Sequence, residues 1–152
     1  MDIVKADIGS FETVRYITQK TIDAVYPRYY PRGAVEFFKA HHSDDRIRED
    51  IRSGIVYLLY DEGIAVGTVT VKHNEINRLF VLPACQHKGY GRRLLDFAEG
   101  EILKDFEEIV LDASLPAKAI YLQRGYTGTE YHRIPTPGGD FLCYDVMKKH
   151  KA

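Results

Sequence analysis

The chain contains few cysteines and almost no net charge, and each shortage excludes a class of protein. Its two cysteines, Cys85 and Cys143, fit neither a disulfide framework nor a zinc site. The net charge of −1 gives no global field that would attract nucleic acid or an acidic membrane. We therefore expect a protein of the reducing cytoplasm that needs no metal and binds neither nucleic acid nor membrane.

Long apolar runs and linkers are also missing. No stretch approaches the roughly 18 apolar residues of a membrane span, and the acidic start Met1-Asp2 does not resemble a signal peptide. The 152 residues contain no repeat or low-complexity tract, and 45% are hydrophobic, as in ordinary globular proteins. We predict one domain over residues 1–152, with the basic run at residues 148–151 as a solvated tail.

Hydrophobic periodicity predicts a mixed α/β (α+β) fold in the order β, helices, ββ hairpin, β, α, β, α, ββ. The predicted strands are residues 2–8, 55–60, 64–72, 76–82, 109–113, 126–134 and 141–148. The predicted helices are residues 10–25, 34–41, 43–52, one from the turn at 89–91 to about 105, and a short one within 114–125. A helix joins strands 76–82 and 109–113, so these two are expected to be parallel in an otherwise mostly antiparallel sheet.

The turn between the fourth strand and the following helix is predicted to bind an anion. Pro83 ends the strand, and the turn Gln86-His87-Lys88-Gly89-Tyr90-Gly91 leads into an apolar helical pattern. First-turn N–H groups have no partner inside the helix, and the helix dipole adds roughly half a positive charge there. Gly89 and Gly91 allow the backbone to approach a phosphate closely.

This segment resembles the Q/R-x-x-G-x-G/A motif of the GCN5-related N-acetyltransferase (GNAT) superfamily, with Gln86, Gly89 and Gly91 at its fixed positions. The order of elements is also similar to that of the GNAT fold. The resemblance implies helices on both faces of a twisted sheet and acetyl-CoA (coenzyme A) bound where the two parallel strands splay apart. It implies a pyrophosphate site made by backbone N–H groups of residues 86–92, here Gln86, His87, Lys88, Gly89, Tyr90, Gly91 and Arg92.

The resemblance extends to both sides of the turn. It implies that the pantetheine arm pairs with the backbone of Leu79, Phe80 and Val81, and that the Leu79 N–H stabilises the thioester oxyanion. Ser114-x-x-Ala117-x-x-Ile120-Tyr121 is similar to the family pattern N-x-x-A-x-x-F-Y, with serine in place of asparagine. Ser114 and Ala117 are therefore expected beside the cofactor. Tyr121 is expected there as the general acid that protonates the departing thiolate.

Glu75 is the candidate general base. It lies eleven positions before Gln86, the spacing at which the histone-acetylating branch of the family carries its catalytic glutamate. Its carboxylate could deprotonate the acceptor ammonium, directly or through water, because amines attack only in the neutral form. His41, His42 and His73 are alternative bases, since histidine titrates near neutrality.

Three tyrosines, Tyr26, Tyr29 and Tyr30, occur together with two prolines in the segment after the first helix. They are predicted to line the acceptor site. Their alternative role is core packing. The acceptor is expected to be the primary amine of a small molecule or peptide, attacking within a ternary complex. The aromatic approach argues mildly against a polyamine, and homodimers are common among members of the family.

Two other functions fit parts of the pattern. A dinucleotide-binding oxidoreductase would use Gly89, Gly91 and Asp112, but Leu94 occupies the third glycine position and no second half is present. A non-catalytic acetyl-CoA sensor or interaction module would need no phenol at Tyr121. A Cys85–His87 nucleophile is disfavoured because no third residue orients the imidazole.

Overall fold

The computed structural model describes the whole chain from Met1 to Ala152. The strands are β1 Asp2–Lys5, β2 Val56–Asp61, β3 Ile64–Lys72, β4 Glu75–Val81, β5 Glu108–Ala113, β6 Thr127–Pro135 and β7 Phe141–His150. The helices are α1 Phe11–Val25, α2 Arg32–His41, α3 Asp44–Arg52, α4 Tyr90–Ile102 and α5 Lys118–Gln123. No helix has both the length and the apolar character needed to cross a membrane.

A single seven-stranded sheet has the strand order β1-β2-β3-β4-β5-β7-β6. Every neighbouring pair is antiparallel except β4 and β5, which are parallel. These two strands pair only at their starts, where Glu75 lies beside Val110 and Ile76 beside Leu111. Beyond Ile76 they separate, so the predicted mixed sheet with a splayed parallel pair is confirmed.

The helices lie on both faces of the sheet, as predicted. On one face α1, α2 and α3 cover a core that includes Ile17, Leu58 and Phe80. On the other face α4 and α5 cover a second core that includes Leu94 and Leu111. The periodic apolar positions of the helices form these cores, because each helix buries one stripe against the sheet.

A bulge interrupts β4 at the point where it leaves β5. Arg78 and Leu79 lie opposite the single residue Val69 of β3, and Arg78 has a positive φ of 45°. The extra residue reverses the alternation of side chains, so Ile76 and Leu79 both face the α4 side. The buried Arg78 guanidinium fixes the bulge by donating to Asp50 Oδ2 at 2.9 Å and to Thr70 Oγ1 at 3.0 Å.

Three predicted segments differ from the structure. β1 ends at Lys5 instead of residue 8, and α5 begins only at Lys118, because residues 114–117 form turns in which the Ser114 carbonyl accepts the N–H groups of Ala117 and Lys118. The prediction of a solvated basic tail is wrong. Residues 148–150 belong to β7, where Lys148 pairs with Glu108 and Lys149 with Glu99. The sequence does not show these acidic partners because they lie far away along the chain.

Candidate functional site

The turn before α4 presents a row of free backbone donors. Gly89 precedes the helix with a φ of 88° in the left-handed region, and the first N–H to bond is that of Arg93, to the Gly89 carbonyl at 3.1 Å. The N–H groups of residues 87–92 donate to no acceptor in the protein. The Gln86 side chain does not point to this row but donates to the Val81 carbonyl at 3.0 Å. Gln86 thus holds the turn against the end of β4, and the row of free donors has the geometry in which helix N-termini bind anions.

A cavity of about 350 Å³ extends from this turn into the gap between β4 and β5. Its lining includes every residue predicted to contact the cofactor except Lys88, which lies outside it. Cys85 and His87 also line this cavity, but no hydrogen bond joins them. The geometry suits a long anionic ligand whose phosphates lie on the α4 N-terminus and whose extended arm follows the open side of β4.

A second cavity of about 260 Å³ lies at the other end of the gap, under α2. The two cavities share one wall, made by Tyr26, Leu79, Phe80, Ser114, Ala117 and Tyr121. Molecules bound in the two cavities would therefore meet at this wall, which brings together the predicted oxyanion donor Leu79 and the predicted acid Tyr121. Such an arrangement supports direct transfer of a group between two bound molecules.

Tyr121 is held firmly at the shared wall. Its side chain is buried, with 7% of the residue exposed, and its ring packs edge-on against Tyr126 at 5.6 Å between centroids. Its hydroxyl makes no hydrogen bond within the protein and is free for a ligand. Burial raises the pKa of Tyr121 well above its ordinary value, so the phenol carries its proton at neutral pH.

Glu75 lies at the start of β4 and lines the second cavity together with Asp112 of β5. Burial, followed by the charge of Asp112, raises the pKa of Glu75. Asp112 was not predicted as a site residue, apart from its place in the rejected dinucleotide pattern. The sequence does contain a sign of its position. Asp112 is a polar residue one position before the end of β5, the strand parallel to β4, so its side chain can lie at the same edge of the sheet as residues of β4.

The three candidate histidines lie in different surroundings. His41 and His42 line the second cavity, whereas His73 occupies the turn between β3 and β4, outside both cavities. Burial lowers the pKa of His42 to about 3, and burial also lowers that of His41. Both rings are therefore neutral at pH 7 and add no positive charge to the cavity.

The three tyrosines after α1 have separate positions. Tyr26 lines both cavities at the shared wall. Tyr30 is buried, and its hydroxyl accepts the Leu115 N–H at 2.7 Å and donates to the Cys143 carbonyl at 3.1 Å. It therefore ties the segment after β5 to β7. Tyr29 is 51% exposed and lines neither cavity, so only Tyr26 is placed to touch a ligand.

Comparison with known proteins assigns this architecture. Residues 25–135 match the family model of the acetyltransferase (GNAT) domain. A GCN5-related N-acetyltransferase structure from Rhodopseudomonas palustris superposes with a TM-score of 0.88 at 18% identity, covering 99% of this chain and 95% of that one. No curated protein matches the sequence significantly.

Two further similar structures were solved with a ligand. PaiA N-acetyltransferase from Thermoplasma acidophilum, in complex with coenzyme A, has a TM-score of 0.74 at 20% identity and covers 99% of this chain and 98% of that one. YncA from Salmonella typhimurium, a putative acetyltransferase with acetyl-CoA, has a TM-score of 0.71 at 18% identity, covering 99% and 93%. At these identities the likeness shows the fold.

Proposed function

The chain belongs to the GNAT acetyltransferase family, and on that premise we propose that it is an N-acetyltransferase. It moves an acetyl group from acetyl-CoA to the primary amine of a small molecule or peptide, by direct attack in a ternary complex. The observation that carries this proposal is the wall shared by the two cavities, one of which begins at a row of free N–H groups.

The first cavity fits acetyl-CoA in charge and shape. The free N–H groups of residues 87–92 would donate to the pyrophosphate, and charge-assisted hydrogen bonds of this kind contribute about 1.5–3 kcal/mol each. Beyond Ile76, β4 has no partner on its β5 side, so the amides of the pantetheine arm can pair there as an added strand would. The complexes of the two similar structures with coenzyme A and acetyl-CoA support this assignment.

The bound thioester supplies an activated acetyl carbon, which forms a bond to the amine nitrogen as its bond to sulfur breaks. Glu75 accepts the proton that the ammonium loses before attack. The Leu79 N–H stabilises negative charge on the carbonyl oxygen. Tyr121 donates its proton to the sulfur, and the second amine proton, released after attack, restores the Tyr121 hydroxyl.

Replacing Tyr121 with Phe tests the proposed acid. We expect turnover to fall by about a hundredfold or more, with coenzyme A affinity nearly unchanged, because the ring that packs on Tyr126 is kept. Thiol release from acetyl-CoA with a panel of primary amines measures turnover, and calorimetry measures coenzyme A binding. Tyr16→Phe, at an exposed position of α1, is the matched control.

Two outcomes would count against this function. Unchanged turnover of Tyr121→Phe would remove Tyr121 from the mechanism. Tight coenzyme A binding by the native protein, without transfer to any amine in the panel, would indicate an acetyl-CoA-binding module instead of an enzyme.

A pair of glycines tests the phosphate turn. Gly89 and Gly63 both have positive φ values, of 88° and 77°, and a Cβ atom on either would meet nothing within 4 Å. Gly89→Ala and Gly63→Ala therefore carry a similar strain of about 1 kcal/mol. Only Gly89→Ala should weaken coenzyme A binding in calorimetry, since Gly63 lies in the β2–β3 turn. Equal affinities in the two variants would show that the turn does not bind the cofactor.

A further inference from the structure

The second cavity identifies a class of acceptor. Building on the proposed function, we propose that the acceptor is a monoamine with an aromatic or otherwise apolar body. Its ammonium group lies within reach of Glu75, Asp112 and the shared wall, and its body packs against the apolar lining of the cavity under α2.

The two carboxylates lie on neighbouring strands and have no cation of their own. Glu75 and Asp112 form no ion pair and no hydrogen bond in the protein, although both line the same cavity. The nearest basic residues are already engaged or neutral: Arg78 is paired with Asp50 at 2.9 Å, and His41 and His42 are uncharged. Lys72, opposite Glu75 in the β3–β4 pairing, makes no ion pair with it. Lys72 acts on Glu75, and His41 and His132 act on Asp112, only from a distance; Glu130 opposes them at Asp112, and burial outweighs them, so the pKa of each carboxyl stays raised. The cavity therefore carries two carboxylates without an ion-pair partner, and a single ammonium group could pair with both.

The walls behind the carboxylates are apolar and aromatic. Phe37 and Phe38 of α2, Ile134 of β6, and Leu142 and Tyr144 of β7 line the cavity. A ligand with a hydrocarbon or aromatic body would release water from these surfaces, and its ring would pack against the aromatic side chains. An acceptor whose body has no apolar surface would gain no binding free energy from these side chains.

Two residues of the cavity lining carry buried polar atoms without a hydrogen-bond partner. His42 is only 7% exposed and lines the cavity, and its Nδ1 has no hydrogen-bond partner. The Nε of Arg78, also buried in this lining, has none either. Buried polar atoms are nearly always bonded, because leaving one unpaired costs stability. Because neither atom is accessible to solvent, a hydroxyl on the acceptor body would reach them only after the His42 and Arg78 side chains shift.

The same charges argue against acceptors with several cations. An aminoglycoside or a polyamine carries three or more ammonium groups, and Glu75 and Asp112 are the only carboxylates in the lining. The remaining ammonium groups of such a molecule would lie against the aromatic walls without counter-charges. Their desolvation would then oppose binding.

The test compares four acceptors at saturating acetyl-CoA: tyramine, 2-phenylethylamine, spermidine and an alanine-initiated tripeptide. We expect the two arylalkylamines to show kcat/KM at least about tenfold higher than spermidine or the peptide, since only they use both the carboxylates and the apolar wall. In Asp112→Asn the KM for 2-phenylethylamine should rise about tenfold, while kcat and coenzyme A affinity change little. Asp105→Asn, at an exposed site outside both cavities, is the matched control.

The outcomes separate this inference from the proposed function. Efficient acetylation of spermidine or the peptide, with no preference for the arylalkylamines, would overturn the inference and leave the enzyme assignment intact. An unchanged KM in Asp112→Asn would also overturn it. Transfer to none of the four, nor to any amine of the wider panel, would overturn both.

Discussion

Two groups of carboxylates in this protein are placed in opposite surroundings. Glu99 of α4 is buried, with 8% of the residue exposed, and accepts four hydrogen bonds. The donors are Arg124 Nε at 3.1 Å, Arg124 Nη2 at 2.9 Å, the Tyr126 hydroxyl at 2.8 Å and Lys149 Nζ at 3.3 Å. Glu75 and Asp112, on the other face of the sheet, accept none.

The difference separates a charge that is paired within the fold from two that are not. Burial by itself would raise the pKa of Glu99, but hydrogen bonds from Arg124 and Tyr126 outweigh it and lower the pKa. Burial raises the pKa of Glu75 and of Asp112, and no donor compensates. Glu99 joins α4 to the α5–β6 turn and to β7, and so supports Tyr126, on which the Tyr121 ring packs. The other two carboxylates make no hydrogen bond or ion pair in the folded chain, which is why we propose that they serve a ligand.

The largest expected effect comes from removing the charge of Glu75. Glu75→Gln should lower kcat by about a hundredfold at pH 7, because the amide cannot take the proton of the ammonium, while the folded state remains intact. Steady-state kinetics with 2-phenylethylamine or the best acceptor found would measure it. Glu107→Gln, on an exposed site beside β5, is the control. If kcat of Glu75→Gln stays within a factor of about two of the native value, Glu75 is not the general base, and water would be the proton acceptor.

Glu99→Gln should act on stability instead. Removing the charge weakens four hydrogen bonds and leaves Arg124 and Lys149 with less compensation, so we expect a loss of about 2 kcal/mol in the free energy of unfolding. Urea denaturation measures it. Glu101→Gln, on the same helix, loses only an exposed pair with Lys104 and should cost less than about 0.5 kcal/mol. Equal losses in the two variants would contradict the structural role of Glu99.

Ionisation of Glu99 and of Glu75 should change the free energy of unfolding in opposite directions. Because the folded-state pKa of Glu99 is lowered, its contribution is present above the unfolded pKa and is lost as the pH falls through the folded value. The raised pKa of Glu75 has the opposite effect: its ionisation destabilises the fold at neutral pH and not in acid. The cost of Glu99→Gln should therefore shrink between pH 7 and pH ~3, and any gain from Glu75→Gln should vanish over the same range. Parallel pH profiles for the two variants would refute this.

The smallest effect is expected for the stability of Asp112→Asn. Relief of repulsion with Glu75 should leave the free energy of unfolding unchanged or raise it by about 0.5 kcal/mol, since Asp112 has no partner to lose. Thermal unfolding without ligands measures it. A clear destabilisation would show that Asp112 supports the fold and would remove the contrast with Glu99.

The turn at residues 86–91, before α4, was predictable because the residues that determine it are neighbours in the sequence. Strand end, proline, glycines and helix start lie between Glu75 and Leu95, and the structure places this whole segment as the sequence pattern indicates. Asp112 was missed because its proximity to Glu75 depends on the parallel register of β4 and β5. The role of Tyr30 was equally hidden, since its partners Leu115 and Cys143 are 85 and 113 positions away.

The sequence by itself determined the order of elements, the mixed sheet and a glycine turn with free N–H groups at the start of α4, because periodicity and glycine chemistry act within a few residues. Only the tertiary structure decided which carboxylates are paired and where the cavity under α2 lies. That cavity is lined by residues of α2, β4, β5 and β7. Glu99 is compensated because folding brings Arg124, Tyr126 and Lys149 to it. Lys149 is a further example: the sequence predicted it in a solvated tail, but it lies in β7, where it pairs with Glu99.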